Sequence, residues 1–386
     1  MLARINWYCL RFAVVVLFAG GLLQSSVPAA DVTFNKDIVR ILQSRCQACH
    51  RPGEIGPMPL VTYRQVRPWA KAIREVVLTK RMPPWFAAPE HGKFSNDSSL
   101  SQVEIDTIAT WASSGALEGH PDDLPPEKAF TEGWRIGEPD VVLEPSHEYR
   151  VPASGVIEYT FFVIPTGFTE DKWIERFELR PGDRSVVHHA GVFVREVGNS
   201  WLLEAPIGQP FVPKRSLERK EAKGNTDLGT ELLMVYLPGG TPEPLGSGRA
   251  KLIKAGSDII LQIHYTPNGK PTVDRTRLGL IFAKEPPVER VVSFAAVNLK
   301  LAIPPGDPNY RLDTLAILRE PVKLLGFFPH MHLRGKAFEY RLVSPTGESK
   351  TVLKVPRYNF NWQLYYQLKE PLVLRGGQPL GSDSLV

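Results

Sequence analysis

Phe327-Phe328-Pro329-His330-Met331-His332 sets two histidines two positions apart behind an apolar run. In extended backbone successive side chains alternate faces, so His330 and His332 are expected on one side of a strand and Met331 on the other. Two imidazoles on one face are half of a metal site, and a transition ion such as copper or zinc needs at least one more donor. The plainer alternative is a pair of polar residues on an edge strand. The reading turns on whether the surroundings are β-structure and where further donors lie.

Outward from this stretch the chain reads as β. Segments 156–163, 185–194, 258–265 and 278–283 are short, rich in β-branched and aromatic residues, and separated by Pro/Gly turns. With 31 Gly and 35 Pro in 386 residues, the composition favours turn-rich β architecture. No helix longer than a turn or two is expected beyond residue 136, and that length fits two packed sandwiches. The first is assigned to residues 136–284 and the second to residues 285–386, divided at Glu285-Pro286-Pro287, where a proline pair interrupts the strands. Pro371-Leu372-Val373-Leu374-Arg375-Gly376-Gly377 starts as a strand and turn. Residues 378–386 then read as a polar tail, which leaves the second sandwich truncated, with an open sheet edge.

The other histidines of this region are few. Val186-Val187-His188-His189-Ala190 carries two adjacent imidazoles, which in a regular strand face opposite ways; both serve one ion only if the backbone bends or ends there. Leu261-Gln262-Ile263-His264-Tyr265 sets His264 on the face opposite Leu261, Ile263 and Tyr265. Singly, each is more simply a hydrogen-bonded structural residue. Together, three imidazoles in the first sandwich and two in the second suit copper, with zinc, nickel and iron less well excluded.

Residues 31–120 follow a different pattern. Asn35, Asp37, Ile38, Ile41 and Leu42 read as an amphipathic helix capped by Asn35, running into Cys46-Gln47-Ala48-Cys49-His50. Cys-x-x-Cys-His is the attachment motif of c-type haem, with two thioethers to the porphyrin and His50 as an iron ligand. A redox dithiol or a zinc half-site would need a βαβ context or a second cysteine pair, and neither is present. For the other axial position, Met82 in Arg81-Met82-Pro83-Pro84-Trp85 is preferred over Met58, which follows His50 too closely for the chain to pass around a porphyrin edge. Met82 follows a predicted helix with Trp69, Ile73, Val76 and Val77 on one face. Ser101 and Glu104 form a capping box, and Ile105, Ile108, Ala109 and Ala112 continue a helical stripe that ends near Gly115. In order and content this all-α segment resembles a class I cytochrome c. Residues 121–135, rich in Pro and acidic residues, read as a linker.

Residues 1–30 read as a secretory signal, with Arg4 and Arg11 ahead of or within the start of an apolar core at residues 12–23 and small residues Ala29 and Ala30 at its end. That core is too short to span a bilayer, so the expectation is a secreted or periplasmic protein, membrane-anchored only if the segment is uncleaved. Cys9 leaves with the signal, and Cys46 and Cys49 are occupied, so no structural disulfide is expected. The net charge of +5 is thinly spread, and the densest basic run, residues 214–223, is interleaved with Glu218 and Glu221. It reads as a solvated loop, and nucleic-acid binding is not expected.

The strings His188-His189, Leu261-Gln262-Ile263-His264-Tyr265 and His330-Met331-His332-Leu333-Arg334-Gly335-Lys336, in this order, resemble the copper type II ascorbate-dependent monooxygenases. That family includes peptidylglycine α-hydroxylating and dopamine β-monooxygenases. The resemblance implies jelly-roll-like sandwiches, an electron-transfer copper on His188, His189 and His264, and a catalytic, oxygen-binding copper on His330 and His332. It implies hydroxylation of an unactivated C–H bond with O2, two electrons being taken up per turnover. The substrate, small molecule or peptide, is not named by any motif. In the animal enzymes the donor implied is ascorbate; here a haem on the same chain, reduced by a periplasmic electron donor, offers another route. Two departures stand out: the vertebrate members are disulfide-rich, and the family's oxygen-binding copper also takes a downstream methionine. Residues 333–386 contain no Met, Cys or His, and neither Met331 nor Met234 is an obvious substitute. The leading expectation is an exported haem–copper monooxygenase. The alternatives are a periplasmic electron-transfer protein without oxygen chemistry, an inactive truncated homologue, and a cytochrome fused to sandwiches that bind carbohydrate or another partner, with the histidines structural.

Overall fold

Among the described residues every helix falls before residue 124 and every strand after residue 140. The structure is a computed structural model that describes residues 31–213, 230–240, 245–298, 301–344 and 347–386. Residues 1–30, read above as a secretory signal, and the basic run 214–223 lie outside the described residues. With 32% strand and 13% helix the protein is mostly β, as its composition indicated. No helix among the described residues is long and apolar enough to cross a membrane.

A π-helical turn, Phe34–Ile38, runs into α1 (Val39–Arg45), followed by α2 (Tyr63–Val66), α3 (Ala70–Leu78) and α4 (Gln102–Ser113). Their apolar positions, spaced three and four apart, meet in one core around Phe34, Ile38, Leu42, Ile73, Ile108 and Trp111. The capping box read at the start of α4 is present: the Ser101 amide donates to Glu104 Oε2 at 2.7 Å and the Glu104 amide to Ser101 Oγ at 3.2 Å. Asn35 is not a cap. It is buried, and its amide donates to the Gly119 and His120 carbonyls at 3.4 and 3.1 Å, which ties the segment's start to its end. The linker is packed rather than free: Lys128 donates to the Gln43 carbonyl at 2.7 Å, and the Arg51 guanidinium lies 3.9 Å over the Phe130 ring.

The strands are β1 (Val141–Leu143), β2 (Tyr149–Val151), β3 (Thr160–Pro165), β4 (Lys172–Arg180), β5 (Val187–Arg195), β6 (Thr230–Tyr236), β7 (Arg249–Ile253), β8 (Asp258–Tyr265), β9 (Thr272–Asp274), β10 (Arg277–Phe282) and β11 (Glu289–Arg290). There follow β12 (Arg311–Ile317), β13 (Val322–Phe327), β14 (Ala337–Val343), β15 (Ser349–Val355), β16 (Tyr366–Leu374) and β17 (Pro379–Leu385). β3-β8-β5-β6 form one sheet and β1-β10-β4-β7-β11 another, with β2-β9 beside them. Between the two lie Phe162, Phe177, Val192, Leu261, Ile263 and Leu280, among others. In β8 the residues Ile259, Leu261, Ile263 and Tyr265 face that core, and the even positions face away. The predicted strand at 156–163 begins later, at Thr160, and the pairing of β11 with β7 keeps the chain on this first group of sheets past Pro287.

The second group has β12-β17-β14-β15 in one sheet and β13-β16 in another. Here the expected polar tail is corrected. Pro379–Leu385 is an inner strand, paired to β12 on one side and β14 on the other. Its polar character is met by cross-strand charge: Asp383 Oδ2 lies 2.7 Å from Arg311 and 2.5 Å from Arg341 on the flanking strands.

The helical segment is not self-contained. After Met82-Pro83-Pro84, residues 85–96 leave it and lie along the second group of sheets. Phe94 bridges Leu368, the Ala88 amide donates to the Lys354 carbonyl at 2.8 Å, and the Ser95 amide to the Gln367 carbonyl at 2.9 Å. Trp85 and Phe94 pack on the fully buried Tyr366, with ring centroids 4.9 and 5.6 Å away.

Candidate metal centres

The first centre is made by a backbone irregularity. Pairing of β5 with β8 shifts register between Val187, opposite Tyr265, and His189, opposite His264. His188 is the extra residue of this bulge, so two adjacent side chains that would alternate in a regular strand turn to the same side. His264 comes from the outward face of β8, as its alternation required. The three ring centroids are 5.0, 5.1 and 5.4 Å apart, and one ligand nitrogen from each lies within 4.8 Å of the others.

The free nitrogens are sorted by their neighbours. The Tyr159 hydroxyl lies 3.0 Å from His189 Nε2, and His188 hydrogen-bonds the Asn361 backbone. His188 Nδ1 and His189 Nδ1 face each other at 2.9 Å, and His264 Nδ1 is buried with no hydrogen-bond partner. A buried ring nitrogen without a partner is costly unless something fills its lone-pair direction, and a cation held by three imidazoles fits this set. Burial and then the His264 charge bring the His188 imidazole down to about 4; burial, then His188, His264 and His330, bring His189 down to about 3. Neutral imidazole is the ligating form, so both are ready to bind at neutral pH.

His330 and His332 do not lie within a strand: β13 ends at Phe327, and the pair follows beyond its end. The expected alternation survives. Met331 is buried while both histidines are exposed, their ring centroids 5.1 Å apart. Met331 is fixed from two sides, its amide donating to Tyr358 Oη at 3.0 Å and that hydroxyl donating back to its carbonyl at 2.7 Å. Its side chain packs on Gly335, so it is no third ligand for the pair.

One loop from the second group of sheets joins the two centres. Phe360 has ring centroids 6.3 Å from His264, 6.5 Å from His189 and 6.4 Å from His332. Gln363, 1% exposed, hydrogen-bonds both the Tyr159 hydroxyl and the His330 side chain. A continuous hydrogen-bonded series, His189 to Tyr159 to Gln363 to His330, therefore spans the gap. The sequence reading did not single out Tyr159, Phe360, Asn361 or Gln363; aromatic and amide residues in Tyr358-Asn359-Phe360-Asn361-Trp362-Gln363 carry no signal of their own without the three-dimensional pairing.

The Cys46-Gln47-Ala48-Cys49-His50 string sits at the end of α1. Cys46 and Cys49 are unbonded thiols. Burial, reinforced by neighbouring negative charge, pushes Cys46 up to about 12 and Cys49 up to about 11, the reverse of the lowered value that a redox dithiol needs. His50 Nδ1 donates to the Met58 carbonyl at 3.1 Å, which leaves Nε2 free. Gly56 lies against the same ring, where an added Cβ would come within 2.7 Å of His50 Nδ1. The Met58 side chain packs into the helical core, whereas Met82 sits outside that core at the exit of α3. A cleft of about 2550 Å³ is lined by Cys49, Pro83, Trp85, Tyr159, His189, His330 and His332, among others. No known protein family matches the sequence, and no curated protein matches it.

Proposed function

We propose that the chain is an exported haem–copper monooxygenase, hydroxylating a C–H bond with O2, in which a c-type haem on Cys46, Cys49 and His50 feeds electrons to copper. The observation that carries this reading is one cleft lined by His189, a member of the His188/His189/His264 cluster, by His330 and His332, and by Cys49. In this reading copper supplies one-electron redox chemistry and activation of O2 when bound. Cys46 and Cys49 would carry the thioethers of a haem, and His50, oriented by the Met58 carbonyl, would offer Nε2 and Met82 its sulfur to the iron, the haem supplying one-electron transfer. At the first centre Tyr159 holds His189 Nε2 and the Asn361 backbone holds the His188 ring, so that the adjacent Nδ1 atoms of His188 and His189 and the unpartnered Nδ1 of His264 would be offered to the ion. At the second, Gln363 orients His330, and the exposure of the pair leaves room for O2 and substrate from the cleft. The apolar rings of Phe328 and Phe360 beside the histidines limit access of water and suit a substrate reacting at a C–H bond.

One observation favours a second reading. His330 and His332 have no third His, Cys, Asp or Glu beside them among the described residues, so the chain can be an electron-transfer protein with a single copper at the complete centre. Metal analysis of the haem-loaded chain separates the two: two coppers and one haem support the monooxygenase, one copper the electron-transfer protein. Haem with no bound copper refutes both.

A further inference from the structure

The helical segment meets the first group of sheets at one sulfur. Cys49 Sγ lies 3.6 Å from the Pro238 carbonyl oxygen, and a Cβ added at Gly239 would come within 2.0 Å of that sulfur. Gly239 has φ +72°, so both its backbone and the space beside it call for glycine. Pro238 stands two residues beyond β6, and Tyr236, the last residue of β6, pairs with Ala190, the neighbour of His189 in β5. The sulfur and the three-histidine centre are thus linked by two residues of chain and one rung of a β-ladder. That is roughly 7 Å along the strand and 5 Å across it.

A buried ion cluster holds this contact rigid. Glu54 Oε1 lies 2.6 Å from Arg51 and 2.7 Å from Arg184, and its side chain is 7% exposed. Arg51 also donates to the Gln47 and Ala48 carbonyls inside the cysteine motif, at 3.0 and 2.7 Å, while Arg184 stands just before the strand that bears His188 and His189. Charge-assisted bonds of this kind fix orientation as well as distance. The buried Tyr236 side chain lies in the same place: burial raises its hydroxyl, and Arg184, Glu54, Arg135 and Cys49 all act on it.

We propose that residues 236–238 are the electron route from a haem bound at Cys49 to a copper held by His188, His189 and His264, with Tyr236 as its positioning residue. The assignment rests on the haem–copper reading above. In each transfer one electron leaves a ferrous haem, which becomes ferric, and converts cupric ion to cuprous; no bond or proton changes place. The ferric haem is re-reduced by an external one-electron reductant such as ascorbate. The path follows bonded chain and one β-ladder rung along the wall of the cleft, whereas the alternative crosses the cleft itself.

Flash photoreduction of the full-length, haem-loaded chain by a ruthenium dye, with and without cupric ion, tests this. The expected result is a first-order reoxidation of the haem that is independent of protein concentration and present only with cupric ion. Tyr236→Leu should slow it several-fold, with the haem spectrum, the haem midpoint potential and the cupric paramagnetic resonance signal unaltered; Gly239→Ala, whose added Cβ would push the Cys49 sulfur off the Pro238 carbonyl, should slow it with the cupric signal unaltered; Tyr236→Phe should restore the parental rate. If Tyr236→Leu fails to fold, Gly239→Ala decides. Parental rates in the folded variants overturn the route while leaving the haem–copper reading in place, and absence of any copper-dependent phase in the parent overturns both.

Discussion

Replacing Gly56 by alanine should unseat His50. An added Cβ would stand 2.7 Å from both the Cys49 carbonyl oxygen and His50 Nδ1, and 2.8 Å from His50 Cγ. Gly56 is not in the left-handed region, so the cost is one of space. For the ring to recover an ordinary separation of about 3.6 Å it must withdraw by about 1 Å. That carries Nδ1 from 3.1 Å to beyond hydrogen-bonding distance of the Met58 carbonyl. Overpacking costs about 1–3 kcal/mol and the lost hydrogen bond about 0.5–1.5 kcal/mol, so a loss of about 1.5–4.5 kcal/mol is expected. Denaturant unfolding of the full chain measures the stability, and the visible spectrum after haem maturation reports the ring's orientation. Gly53→Ala is the control: its φ of +81° makes alanine strained by about 1–2 kcal/mol, but the position opens on empty space, so the spectrum should not change. A Gly56→Ala chain within about 0.5 kcal/mol of the parent, with the parental spectrum, would refute the reasoning.

Trp85→Ala should destabilise the chain by about 2–4 kcal/mol, since it strips a ring from the cluster with Phe94 and Tyr366; parental unfolding would show that residues 85–96 do not hold the second group of sheets. His264→Ala should lower cupric ion affinity by more than the roughly 10–100-fold that loss of an outer hydrogen-bond partner costs, whereas Tyr159→Phe should fall within that range. Competition titration with a chelator measures both, and unaltered affinity in His264→Ala leaves the cluster structural. The metal-free chain should lose stability as pH falls from 6.5 towards 4, because His188 and His189 take up protons readily only when unfolded, at the ordinary value of 6.5. The sign follows from the unfolded state binding more protons in that window, so the urea midpoint should drop on acidification and copper should oppose the drop; a flat midpoint counts against the burial of these rings.

The two kinds of local signal that mark the sites were legible because they are short-range. Alternation along Leu261-Gln262-Ile263-His264-Tyr265 places His264 on the outer face whatever lies elsewhere, and β8 has the bounds read for it. Adjacent His188 and His189 posed a condition, a bend, and the bulge between Val187 and His189 meets it. What could not be read depends on distant partners. Asp383 looks like tail chemistry until Arg311 and Arg341 flank it, and the amide of Gln363 gains meaning only between Tyr159 and His330. The capping role given to Asn35 failed for the same reason: two carbonyls near residue 120 compete for its amide. The independence expected of residues 31–120 rested on a core that does exist, while Trp85 and Phe94 have no helical spacing to show that they belong to another layer.

The attachment of residues 85–96 to Tyr366 and Leu368 sets an order on folding. Phe94 meets a partner encoded more than 270 residues later, and at about 5–20 residues per second a ribosome takes roughly 15–55 s to reach it. During that interval the helices can close on their own core, but Trp85, Phe86 and Phe94 have nowhere to go. They form an exposed apolar strip on an otherwise folded piece, a lure for chaperones and for other nascent chains. A gene cut after residue 120 would make that condition permanent, so the excised helical piece should be sticky and poorly behaved even though its own interior is intact.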